Sequence, residues 1–329
     1  MNRVLPGLAL GALILAFPSP QALADDGQPL SSPIRSRNHH PIFVNLLNPP
    51  PEEAAVAEEF TWEIAVNHSS IFIMGANNEW YIHMDKEMTE YDFSLRAALP
   101  GLKMEVGAEI PFFMSSSGFM DSFVRTYHST IGVEGYDYQD HFPDDFYVDK
   151  LYRGQKIFYL GRDGRTDLGD ITLWLKGEAY RDGPYLLSWQ AFAQPPTGKT
   201  DVGAGSGLWE YGARVLTTGE YTGLGVYLML GAYVPGGMKG LDGETELIPM
   251  FSGFLGFEWT LWDGWAFLAQ LTGTSSPMSG DQGDFFSKPW FDSTIGFKKL
   301  TQGGTLAMAL SENVNQTAPD FTIHLSFKM

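Results

Sequence analysis

Leu102-Lys103-Met104-Glu105-Val106-Gly107-Ala108-Glu109-Ile110-Pro111-Phe112 reads with a strict period of two. One parity holds Leu102, Met104, Val106, Ala108, Ile110 and Phe112; the other holds Lys103, Glu105, Gly107, Glu109 and Pro111. Successive side chains of a strand point to opposite faces, so this run is a strand with one apolar and one polar face. A strand in a soluble sheet averages about 5–6 residues, whereas a tilted strand crossing a bilayer needs about 9–11. The length of this run therefore predicts a membrane wall, with the apolar parity facing lipid and the polar parity facing inward.

The same alternation recurs on both sides of it, giving twelve segments in all. Glu63 opposes Trp62 and Ile64; Asp92 and Arg96 oppose Tyr91, Phe93 and Leu95. Asp170, Lys176 and Glu178 oppose Ile171, Leu173 and Leu175, and Glu210 with Arg214 opposes Trp209, Tyr211 and Val215. Glu258 opposes Phe257 and Trp259, while Gly223, Gly225 and Gly231 oppose Leu224, Val226 and Leu230. Residues 185–194, 265–272, 291–298 and 321–328 repeat the pattern, and residues 305–312 show it weakly. The register is well determined: a slip of one residue turns a strand's charges to lipid, at about 2–4 kcal/mol for a Lys or Arg at the midplane.

The connections alternate too. Short ones follow the even segments: Pro100-Gly101, Arg181-Asp182-Gly183-Pro184, residues 218–222, Asp263-Gly264 and residues 301–304. Long ones follow most odd segments, above all residues 113–168. Short periplasmic turns with longer external loops, an even strand count and aromatics such as Trp62, Tyr91, Trp259, Trp262 and Trp265 near strand ends are the outer-membrane arrangement. The predicted fold is all-β, a transmembrane antiparallel outer-membrane β-barrel of about 12 strands over residues 60–329, with a long extracellular loop containing a short helix.

The start of the chain reads as an address. Met1-Asn2-Arg3 is basic, residues 4–17 are apolar and Ala22-Leu23-Ala24 fits a small-x-small cleavage site, so residues 1–24 read as a cleaved signal peptide. Residues 25–59, with Pro49-Pro50-Pro51 and Glu52-Glu53, lie between it and the barrel, either as a periplasmic tail or as an inward plug. The 21 basic and 39 acidic residues leave a net charge of −18, which argues against nucleic acid as a partner. With no cysteine there is no disulfide, thiolate nucleophile or Cys-ligated metal. The expected partners are outer-membrane lipid, lipopolysaccharide and a small solute, together with the barrel-assembly machinery. Phe327, third from the end, is an off-pattern form of the terminal aromatic which that machinery reads.

Several stretches carry a resemblance. They are Ser32-Pro33-Ile34-Arg35-Ser36-Arg37-Asn38-His39-His40-Pro41-Ile42-Phe43, the Glu105 to Phe112 motif, Gly118-Phe119-Met120-Asp121-Ser122-Phe123 and Leu168-Gly169-Asp170-Ile171. In this order they resemble an uncharacterised bacterial family, domain of unknown function three-one-eight-seven, over nearly all of the chain beyond residue 24. The resemblance implies an outer-membrane barrel and supplies no activity, so it assigns no catalytic residue.

The chemistry is then sought in the inward face. Its candidate lumen-lining residues are Glu63, Asp92, Arg96, Lys103, Glu105, Glu109, Asp170, Lys176, Glu178, Glu210, Arg214 and Glu258. A surplus of acids there favours cations if the lumen is open, whereas a closed ion-pair network carries nothing. Twelve strands fall between the filled eight-strand barrel and the sixteen-strand pore, so both readings stand. Phe119, Phe123 and Tyr127 at i, i+4 and i+8 mark a short amphipathic helix, a candidate lid. The six acids between residues 134 and 149 match no EF-hand spacing and read as a solvated loop, with a divalent cation left open. Gly198-Lys199-Thr200 lacks the upstream glycine of a phosphate-binding loop. No metal and no cofactor are expected. Three function classes follow: a narrow passive channel for small solutes, a closed structural or surface-interaction barrel, and a lipid-modifying enzyme using His68 or His324. Of these the channel is preferred, and a non-enzyme is expected.

Overall fold

The computed structural model describes residues 32–40, 43–76, 80–131, 147–152, 155–156, 164–239, 244–278, 288–314, 319 and 321–329. The segment read as a signal peptide and nearly all of the acidic run 134–149 lie outside them. Twelve long strands form the wall: β1 (Thr61–Ala76), β2 (Trp80–Leu99), β3 (Met104–Ser116), β4 (Thr172–Asp182), β5 (Tyr185–Gln194) and β6 (Glu210–Tyr221). They continue as β7 (Leu224–Val234), β8 (Met250–Thr260), β9 (Trp265–Thr274), β10 (Trp290–Thr301), β11 (Gly304–Asn313) and β12 (Phe321–Lys328).

Each strand pairs antiparallel with its chain neighbours, and β12 pairs β1 from Glu63↔Lys328 to Ser70↔Phe321, so the barrel closes without a free edge. All twelve segments of the alternation are strands, the weak one included. Beyond the first two segments the structure adds length. The residues between them, which carry no clean alternation, extend β1 and β2 in register to Ala76↔Tyr81, and β2 there pairs Tyr147–Tyr152. Among the described residues no helix is long and apolar enough to cross a membrane; the crossing elements are these strands.

The short turns carry the backbone that tight hairpins demand. Asp263 has φ 49° and Gly264 φ 73°, the double positive φ of a type I′ turn between β8 and β9. The predicted parities hold on both sides of the wall. Ile64, Leu95, Val106, Val215, Leu230, Leu271, Ile295 and Leu325 are exposed apolar residues facing outward on eight different strands, as lipid contact requires. Glu63, Asp92, Glu105, Lys176, Glu210, Arg214 and Glu258 on the opposite parity are buried.

Candidate functional site

Burial of those inward charges has a direct cause: residues 32–40 and 43–57 run through the lumen. Ser32 Oγ receives Lys298 Nζ at 3.1 Å near the short-turn end, and Gln270 takes both the N–H and the C=O of Ile34. The segment climbs to Phe43, turns, and descends through Glu52 and Ala54 before entering β1. It is irregular backbone, so its polar groups need partners in the wall.

Each ascending charge meets a wall carboxylate. Arg35 Nη2 lies 3.0 Å from Glu109 and 3.4 Å from Asp92, with Glu63 at 3.8 Å from Nε. Arg37 reaches Glu90 at 3.0 Å and donates to the carbonyl of Val44 at 3.0 Å. His39 sits between Glu90, 2.8 Å from Nε2, and Ser69, 2.7 Å from Nδ1. On the descent Glu52 gathers three cations, Arg96 at 2.8 Å, Lys176 at 2.9 Å and Arg214 at 3.0 Å, and also accepts from Gln190 at 3.1 Å. Glu53 takes Lys328 at 2.7 Å and Arg96 at 3.1 Å. Glu105 pairs with Lys176 at 3.0 Å and accepts the N–H of Ala57, and Glu210 accepts the N–H of Leu47 at 2.6 Å. Glu258 accepts from Tyr227 at 2.9 Å and pairs with Lys298 at 3.3 Å. Ala54 rests against Leu186, Leu216, Tyr227 and Phe254.

At the external end the contacts turn apolar. Phe43, Val44, Leu46 and Leu47 form the apex of the segment and pack with Ile71, Met84, Met88, Phe113, Trp174, Phe192, Tyr233, Met250 and Trp290 from the wall. Val202, Ala204, Met238 and Met278 from three long loops join the same cluster and cover the mouth. Lys86, at the height of the apex, lies 3.3 Å from Ser115 Oγ. Lys176, Glu105, Glu210 and Glu258 are each 0% exposed. A water-filled passage beside these residues would leave them accessible, so the segment fills the lumen around them.

The inward glycines of β7 fit the filled interior. A Cβ on Gly231 would come within 2.5 Å of Tyr233 Oη, and one on Gly225 within 2.9 Å of Tyr227 Oη. Each glycine makes room for the inward tyrosine two residues on, so the space it leaves is ring and not pore.

The candidate residues fall into groups. Glu63, Asp92, Arg96, Glu105, Glu109, Lys176, Glu210, Arg214 and Glu258 come together around residues 32–40 and 43–57. Asp170 lies just before β4, where it accepts the N–H groups of Gly198 at 2.7 Å and Ser206 at 2.8 Å and so anchors a mouth loop. Glu178 stands at the short-turn rim, held by Lys103 at 2.9 Å and Arg181 at 2.8 Å. Lys103 departs from the lumen-lining reading. It sits in the turn before β3, and its side chain is 76% exposed. The alternation runs two residues beyond the strand, which begins only at Met104.

The candidate lid also departs from its reading. The helix α1 (Asp121–Ile131) lies on the outer face of the wall. Met120 and Val124 are buried on Phe321, whose parity in β12 faces away from the inward Thr322 and His324. Phe119 stacks on His68 with ring centroids 5.2 Å apart, Phe123 meets Phe321, and Tyr127 donates to Glu312 at 2.9 Å. Glu87, outward on β2, accepts the N–H of Phe119 at 2.7 Å and that of Met120 at the start of the helix. An apolar helical stripe does not say which face of a wall it will cover, and here the outward Phe321 and His68 attract it.

His324 lies 2.6 Å from Ser311 and 2.8 Å from Asn67, not against Ser326, and it points into the closed lumen, away from lipid. Among the described residues no group of three or more His, Cys, Asp or Glu is placed to hold a metal ion. Arg35 and Arg37 were missed as site residues; their signal was two arginines in a proline-containing segment without periodicity, opposite a wall richer in acids than bases.

A model of the family described as "Protein of unknown function (DUF3187)" matches residues 22–329. The COG4313 outer membrane channel from Pseudomonas putida F1 has a similar structure at 13% identity, with a TM-score of 0.56, covering 85% of this chain and 98% of that one. The NanC porin aligns more loosely, at 7% identity and a TM-score of 0.45, covering 81% of this chain and 97% of that one. A FadL homologue from Pseudomonas aeruginosa gives 9% identity and a TM-score of 0.41, covering 92% and 98%. At 13% identity the likeness to the first of these is one of fold alone, an outer-membrane β-barrel. No curated protein matches the chain at a significant level.

Proposed function

We propose that this chain, which belongs to the DUF3187 family, is a gated outer-membrane channel for small solutes, closed at rest by its own residues 32–57. One observation carries the reading: Glu52, on the segment, binds Arg96, Lys176 and Arg214 from three different strands. A permanent filler has no need of such charges, because replacing buried ion pairs by packed apolar groups is often neutral or stabilising. A reversible gate does gain from them. Paired charges dock in one register, and each partner is hydrated when they part. The gate in this reading is the N-terminal segment and not helix α1.

With the segment withdrawn, Glu63, Glu90, Asp92, Glu105, Glu109, Glu210 and Glu258 line the passage against Lys86, Arg96, Lys176, Arg214 and Lys298. Rings biased to acid favour cations. The test is single-channel recording in a planar bilayer under a salt gradient, comparing the chain from residue 25 with one lacking residues 32–57. The expected result is rare openings in the first and sustained, cation-biased steps in the second. A truncated barrel that is folded and silent would overturn the reading.

The apolar mouth cluster favours a second reading, a closed barrel whose loops serve the cell surface. That reading predicts silence from both proteins.

A further inference from the structure

We propose that the external half of the lumen is a binding vestibule for a small, mainly apolar molecule bearing one hydrogen-bond acceptor, and that the apex of the N-terminal segment occupies it in the closed state. The inference deepens the channel reading by naming the class of solute, and it rests on the segment being displaceable.

The first ground is the character of the wall. Toward the periplasm the inward parity meets the segment largely through charges, whereas at the external end it carries Met84, Met88, Met250, Trp174, Phe192 and Trp290. A passage for ions or sugars gains nothing from such a surface once it is wet. Methionine side chains are unbranched and polarisable, so they reshape around different apolar guests.

The second ground is the occupant. Phe43, Val44, Leu46 and Leu47 are 0–2% exposed, and they are the apolar end of a segment whose other wall contacts are mostly polar or ionic. Together they have the bulk of a small ligand. Their withdrawal leaves an apolar volume that stays unfavourable to water and receptive to an apolar guest.

The third ground points to the acceptor. The indole N–H groups of Trp174 and Trp290 are buried, and neither has a hydrogen-bond partner. Trp174 stands on β4 and Trp290 on β10, six places apart in a ring of twelve, and both belong to the apolar cluster around the apex. A buried donor without a partner is costly, and an oxygen on the guest removes that cost.

The experiment is equilibrium dialysis of 1-naphthol, with sorbitol as the polar counterpart, against the chain from residue 25 in lipid nanodiscs. Protein-free nanodiscs correct for partition into lipid. In the unaltered protein the apex competes with the probe. Replacing Phe43, Leu46 and Leu47 together by Ala should give saturable 1-naphthol binding of about one per barrel, at least tenfold tighter than in the unaltered protein. Adding Trp174→Phe should weaken it about fivefold, the usual share of one hydrogen bond. If the triple variant loses the heat-dependent gel shift of a folded barrel, Phe43→Ala alone supplies the same comparison. Naphthol uptake equal to that of protein-free discs, or sorbitol bound as well as naphthol, overturns the vestibule. Conduction by the truncated barrel without naphthol binding in the variant sinks this inference and leaves the channel standing. Naphthol binding in a barrel that never conducts supports the vestibule and sinks the channel.

Discussion

Glu52→Gln isolates the latch of the segment from the rest of the barrel. Glu52 is 3% exposed, and its carboxylate is shared by Arg96, Lys176 and Arg214. Breaking a buried ion pair from one side costs about 3–5 kcal/mol. Two of the three cations keep a carboxylate, Lys176 through Glu105 at 3.0 Å and Arg96 through Glu53 at 3.1 Å. Arg214 keeps the Gln190 oxygen at 2.8 Å, the carbonyls of Pro50 at 2.7 Å and Pro49 at 3.3 Å, and the Phe192 ring, whose centroid is 5.0 Å from the guanidinium carbon. The low end of the range, about 3 kcal/mol, is therefore appropriate, and it corresponds to about a hundredfold rise in the released population. The cost falls on docking because the hydrogen-bond ladders of the wall do not involve Glu52.

Trypsin reads that population. Cleavage after Arg35 and Arg37 requires both to leave the lumen, and when release is fast relative to cleavage the rate follows the equilibrium fraction released. The expected result is cleavage about a hundredfold faster in Glu52→Gln, with the heat-dependent gel shift of the barrel unchanged. Cleavage at the unaltered rate would refute the latch. So would a lowered unfolding temperature without faster cleavage, which would make residues 32–57 a fixed part of the fold.

Release should also depend on pH. Burial alone would raise the carboxyls of Glu52 and Glu53, but Arg96, Lys176 and Arg214 around the first, and Lys328 and Arg96 around the second, outweigh it and hold both below the ordinary 4.5. A depressed carboxyl stabilises docking above its free value and loses that contribution as pH falls through the folded one, so conductance should rise as pH is lowered from about 6 to about 3; a flat profile contradicts the pairing. Glu87→Ala removes the acceptor at the start of helix α1 and should cost its docking about 0.5–2 kcal/mol, read as faster hydrogen exchange at the Val124 amide, which donates to Met120 at 2.8 Å. Gly231→Ala puts a Cβ 2.5 Å from Tyr233 Oη and 2.8 Å from Ser252 Oγ. Tyr233 is a rigid buried ring whose Cζ would also lie 2.8 Å from the added Cβ, so a thermal unfolding loss of about 1–3 kcal/mol is expected. Lys103→Ala breaks an exposed rim pair and should change stability by no more than about 1 kcal/mol in the same melt.

The wall was legible because strand periodicity is a local property. Each of the twelve segments announced its lipid face through alternate residues, and Asp263-Gly264 announced its turn through the φ that only such residues tolerate at low cost. The errors arose where periodicity stops. At Lys103 the polar parity runs on past the strand end, and in the far parts of β1 and β2 the strands continue after the alternation has lapsed, because there they pair with each other out to Ala76↔Tyr81. Helix α1 was read correctly as amphipathic, but its burial partners Phe321 and His68 lie far away in the chain, and only their position on the outer wall put the helix there.

By itself, the sequence determined the architecture of this protein: an even ring of strands, which parity meets lipid, and the alternation of short and long connections. Those follow from a period of two and from the cost of exposing charge to hydrocarbon. Only the tertiary structure brings residues 32–40 and 43–57 against the inward wall, where the linear order leaves tail and plug both open. That placement rests on pairs such as Arg35 with Glu109 and Glu52 with Arg214, separated by 74 and 162 residues, and on an irregular segment with no periodicity to betray its partners. A closed barrel wall brings such residues within ion-pair distance, and nothing in the linear order of the chain does so.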